Sequence, residues 1–130
     1  MEYDTIKNLI DRRLLLELTV DQKKHHNLDN LTNIACFYSL VGISGFDIPV
    51  VGTHVYAIKE GIKLASKVSK DFGMKEFSEP YIKISIGSKE FVQEDPFPSI
   101  SVLEEAVKEC LNEGIQIVEF HPGRMDEDTL

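Results

Sequence analysis

Residues 53–86 change hydrophobic period once, and that change restricts what the chain can fold into. From Thr53 to Gly73 the apolar residues Val55, Ile58, Ile62, Ala65, Val68 and Phe72 recur at steps of three and four, the spacing of one helix face. Thr53 is a candidate N-cap and Gly73 a candidate stop. YIKISI, residues 81–86, then alternates strictly, with Ile82, Ile84 and Ile86 on one face and Tyr81, Lys83 and Ser85 on the other. A long helix and a strand this close in one short chain predict a mixed α and β domain. At 130 residues there is enough chain for one core burying roughly two-thirds of the unfolded surface.

The flanking segments extend this pattern. Ile6, Leu9, Ile10, Leu14 and Leu16 predict a first helix, and LDNLTNIACFYSLVG a second, with Leu31, Ile34, Ala35, Tyr38 and Val41 on its apolar side and Gly42 as its stop. The two are expected to form a helical hairpin over residues 1–45. Phe46 to Val51 reads as a short strand, with Pro49 arguing for an edge or an extended connector. Gly87-Ser88 matches a type II′ turn leading into KEFV, which would set Ile84 opposite Phe91. Ser101 and Glu104 match a capping box, opening a helix that buries Leu103, Ala106, Val107, Cys110 and Leu111 and stops at Gly114. IQIVEF is apolar on both alternating sets, as in a central strand covered on each side.

Residues 46–120 therefore read β-α-β-β-α-β, the split βαβ or ferredoxin-like order of an α+β protein, followed by an acidic tail over 121–130. If the Pro49 strand fails, three helices and a three-stranded ββαβ sheet remain.

The net charge of −8 lies entirely in residues 73–130, where five bases face thirteen acids; residues 1–72 hold nine of each. A field of that sign repels phosphate backbones and anionic lipid, which disfavours nucleic-acid and membrane binding. The acidic start MEYDTIKNLIDRR lacks the basic and apolar regions of a secretory signal, and Cys36 and Cys110 each fall in an apolar helical pattern without CxxC spacing. The expectation is a cytoplasmic protein with two reduced thiols and no cofactor.

Glu105, Glu109 and Glu113 stand at i, i+4 and i+8, a stripe of like charge opposed only by Lys108. Together with Asp126, Glu127 and Asp128 it suggests a surface that meets a basic protein partner. An inhibitor, immunity or antitoxin protein that covers a cationic site fits this layout. The alternative is a binding protein or enzyme for a phosphate- or carboxylate-bearing molecule, near His54 at a helix start or near His121 and Arg124 in FHPGR. No catalytic constellation and no metal-ligand spacing accompany them. His25-His26 are adjacent and would point apart in a helix, so they read as a solvated loop. The expected antiparallel course of the first and last strands separates His54 from His121. HPGR itself suits a type II turn, with Pro second and Gly third. A homo-oligomer, formed through a sheet edge, is a third reading.

Overall fold

In the computed structural model the described residues are 3–12, 14–20, 27–49, 52–86 and 100–120. In order they form α1 (Tyr3–Asp11), β1 (Glu17–Thr19), α2 (Leu28–Leu40), β2 (Gly45–Ile48), α3 (Thr53–Asp71), β3 (Tyr81–Ile86), α4 (Ile100–Asn112) and β4 (Ile117–Phe120). The four strands make one sheet in the order β1-β2-β3-β4, and every neighbouring pair is parallel.

The mixed class is as expected, but the pairing differs. A split βαβ unit needs antiparallel neighbours, whereas each described strand here is joined to the next through a helix and pairs parallel to it. The three-stranded ββαβ alternative also differs from four helices and four strands among the described residues. The Gly87-Ser88 turn, KEFV and Phe91 lie outside the described residues.

The expected hairpin of the first two helices is replaced by α1-β1-α2, with α2 packing on α3 instead. Leu14 and Leu16 lead into a strand rather than extending α1. The reason is visible in LLLELTV: Leu18 and Val20 alternate with Glu17 and Thr19, a period of two, and the pair Leu18 and Val20 joins the core. Close contact between α2 and α3 depends on small residues. A Cβ on Gly61 would lie 2.5 Å from the Ala35 Cβ and 2.5 Å from the Thr32 carbonyl oxygen. Thr32 Oγ1 also donates to the Ala57 carbonyl across the same crossing.

β2 occupies an interior position, not an edge, because it ends at Ile48, one residue before the proline that cannot donate to the ladder. β4 is the reverse case: IQIVEF reads as central, yet β4 is an edge of the described sheet. Two helix-to-strand connections share the residues Gly-Ile: Gly42-Ile43 after α2 and Gly114-Ile115 after α4. Both glycines have positive φ, 96° and 69°, and in both the isoleucine N–H returns to the carbonyl five residues back, Tyr38 or Cys110. The isoleucines then plug the core, 5% and 6% exposed.

Helix starts are less regular. Asn27 caps α2 by accepting from the Asn30 N–H. α3 begins at Thr53 itself, with Gly52 as a cap lacking a side-chain bond, and Ser101 falls inside the first turn of α4.

The core gathers Leu18, Val20, Phe46, Ile48, Ile82, Ile84 and Val118 from one face of the sheet with Leu31 and Ala35 of α2, Val55, Ile58 and Ile62 of α3, and Leu103, Ala106 and Cys110 of α4. α2, α3 and α4 thus all cover that one face. This is the outcome of right-handed crossovers when each new strand is added on the same side. No described helix is long and apolar enough to cross a membrane.

Candidate functional site

The strand residues between those core positions belong to the other face. From the register, Glu17, Gly45 and Tyr81 lie side by side, then Thr19, Asp47, Lys83 and Ile117, then Ser85 and Glu119. Parallel strands ordinarily read apolar on both sides. Here each of the four strands instead contributes an ionisable residue, and all four meet at Lys83.

The Lys83 ammonium lies 2.9 Å from Glu17 Oε1, 2.6 Å from Glu119 Oε2 and 3.7 Å from Asp47 Oδ2. The first two are hydrogen bonds; the third is an ion pair without one. Tyr81 Oη donates to the second oxygen of Glu17 at 2.6 Å, and Ser85 Oγ donates to Asp47 Oδ1 at 2.5 Å. Tyr81 and Glu17 are separated by a whole strand. The ring crosses β2 at Gly45, where a Cβ would fall 2.3 Å from ring carbon Cε2. Gly45 is therefore the opening through which β3 reaches β1.

Burial pushes the Lys83 ammonium toward losing its proton, but the hydrogen bonds to Glu119 and Glu17 and the charges of Asp47 and Glu17 outweigh it and raise its pKa. Lys83 is held as a cation, which suits pairing and not attack on a carbonyl. Tyr81 is likewise raised, first by burial and then by its bond to Glu17 and the surrounding carboxylates. Three carboxylates against one ammonium leave the face with an excess of acceptors. Glu119 is the most open of them, its side chain 41% exposed against 22% for Glu17 and 20% for Asp47.

The residues singled out from sequence fall elsewhere. Glu105 and Glu109 are exposed on α4, Glu105 paired with Lys108 at 3.2 Å. Glu113 is drawn inward just past α4: Lys59 Nζ donates to its backbone carbonyl and to its carboxylate at 3.2 Å, and Tyr56 Oη donates to it at 3.2 Å. A cation at the C-terminal end of a helix is the favoured sign, so this contact fastens α4 to α3. Asp126, Glu127, Asp128, His121 and Arg124 lie outside the described residues, as do His25 and His26.

His54 is the second residue of α3, half-buried. The parallel sheet removes the argument that parted it from His121, since β2 and β4 run in the same direction. Among the described residues no group of three or more His, Cys, Asp or Glu side chains is arranged to hold a metal ion. Burial raises the Cys36 and Cys110 thiols, with the Glu109 charge adding to it at Cys110.

Sequence reading missed Lys83 and its partners because they sit far apart in the chain. One signal was available: Glu17, Asp47, Lys83 and Glu119 each interrupt an otherwise apolar or small strand segment. Comparison of the chain with known protein families, with curated proteins and with solved structures finds no match.

Proposed function

We propose that the polar face of the sheet binds a small, positively charged ligand rich in hydrogen-bond donors, an amine or a guanidine. The observation that carries this reading is the convergence of Glu17, Asp47 and Glu119 on a single lysine, one residue from each strand. Taking ions out of water costs several kcal/mol each, and well-packed apolar residues would often be at least as stable. Natural proteins break the local rule in this way mostly where function requires it. Carboxylates only accept, so the complementary ligand must donate. Glu119 is its most accessible anchor.

A thermal-shift panel of diamines, guanidines and anionic controls tests this. An amine at 100 times its Kd is expected to add about 2.7 kcal/mol, and Glu119→Gln is expected to abolish the shift. The reading is wrong if no amine or guanidine shifts the transition, or if the shift survives Glu119→Gln.

The exposed positions of Glu105 and Glu109 support a second reading, the acidic interaction protein that covers a basic surface of a partner. Glu113 is better left intact in its test, because it fastens α4. Glu105→Gln with Glu109→Gln is expected to weaken capture of a basic partner from lysate and to flatten its salt dependence. Unchanged capture would sink this second reading.

A further inference from the structure

We propose that two copies of this chain join edge to edge and close into an eight-stranded parallel barrel, with the charged face as its lining. Three observations meet here. First, α2, α3 and α4 all cover the same face of the sheet, so the opposite face can turn inward without moving any helix of the core. Second, the described sheet has β1 at one edge and β4 at the other, running in the same direction. A two-fold axis along the strands sets β4 of one copy beside β1 of the second, and β1 beside β4, with parallel pairing throughout. The same edge groups are used on both copies, as a closed dimer requires. Third, Tyr81 and Lys83 of β3 both reach Glu17 of β1 across the intervening strand. Next-but-one strands lie about 10 Å apart, so side chains that meet over such a span lean toward a common centre, as on the inside of a barrel.

Number and filling agree with this. Eight strands is the count at which side chains just fill a barrel interior, with alternate residues of each strand inside. The inward positions here are those of the charged face, from Glu17 and Thr19 on β1 to Ile117 and Glu119 on β4. Glu119 stands on the edge strand that would meet Glu17 and Thr19 of the second copy, so the lining is complete only in the pair.

Charge sets the expected signature. Each face carries three carboxylates and one ammonium, and closing the barrel brings two such faces together. Their repulsion is screened over about 8 Å at physiological salt, so self-association must strengthen as salt is raised. The inference does not rest on the amine reading, and the two separate experimentally. Glu119→Gln removes an anchor for the ligand but relieves repulsion between copies.

Sedimentation equilibrium from low to high micromolar concentration is expected to show a species of twice the chain's 14.7 kDa. Its fraction should rise with salt and rise again, at low salt, in Glu119→Gln. Thr19 is exposed on this face of the edge strand. Thr19→Glu, which adds a fourth carboxylate to each face, is expected to weaken association about tenfold or more while leaving the circular dichroism spectrum unchanged. Amide exchange at residues 17–19 and 117–120 should slow as the wild-type concentration rises, a reading that needs no variant. A monomer at every concentration overturns the proposal. So do a dimer untouched by Thr19→Glu, a dimer that dissociates as salt is raised, and edge amides insensitive to concentration.

Discussion

Tyr81 shows how much one missing side chain governs this molecule. Tyr81 is 3% exposed, although it stands on the face that none of the core helices covers, because its ring crosses over Gly45 and its hydroxyl ends on Glu17. Gly45→Ala places a methyl group inside that ring, and the backbone of β2 between β1 and β3 leaves little room to yield. The ring must swing away, losing both its contact and its bond to Glu17. The expected cost is about 1–3 kcal/mol, measured by urea unfolding. A variant as stable as the parent would show that the ring has another place to go. Nothing local marks Gly45 for this task. In GISGFDIP it reads as one more turn glycine, and only the register with Tyr81 explains it.

At the scale of elements, legibility followed the length and purity of the period. α3 spans nineteen residues and contains five of the six apolar positions of that face, the sixth, Phe72, being its C-cap, and both of its expected ends fall within two residues of Thr53–Asp71. β3 alternates without exception and coincides with Tyr81–Ile86. β1 is three residues long, too short for alternation to stand out against Leu14, Leu15 and Leu16 before it. Missing it changed the partner of α2. With β1 in place, α2 is a crossover between two parallel strands and must lie on the sheet beside α3, where Gly61 and Ala35 let the axes approach. The split βαβ expectation failed for a related reason. Residues 46–120 give the same element order in many sheets, and strand direction follows from which strand lies beside which, a long-range outcome that local pattern does not carry.

For the whole molecule, the charged face makes stability depend on alkaline pH. Lys83 and Tyr81 both bind their protons more tightly folded than unfolded. The stability they confer is therefore fully present below their unfolded values, which are about 10, and is lost as pH rises through the folded values. Unfolding free energy should be nearly level from neutral pH to about 9.5 and decline above about 10. The double variant Lys83→Met with Tyr81→Phe should be less stable at neutral pH but show a shallower alkaline decline. An equally steep decline in both proteins would remove these two groups as its cause.

The chain by itself determined where helices and long strands form, which of their faces are apolar, and that the acidic excess lies after residue 72. Those are consequences of near-neighbour spacing and composition. Only the tertiary structure decided that all described strands run parallel, that α2 to α4 cover one face, and that Glu17, Asp47, Lys83 and Glu119 meet on the other. Lys83 is 66 positions from Glu17 and 36 from Glu119 in sequence. Attraction between charges acts over a few ångströms, and sheet register alone brings groups so distant along the chain within that reach.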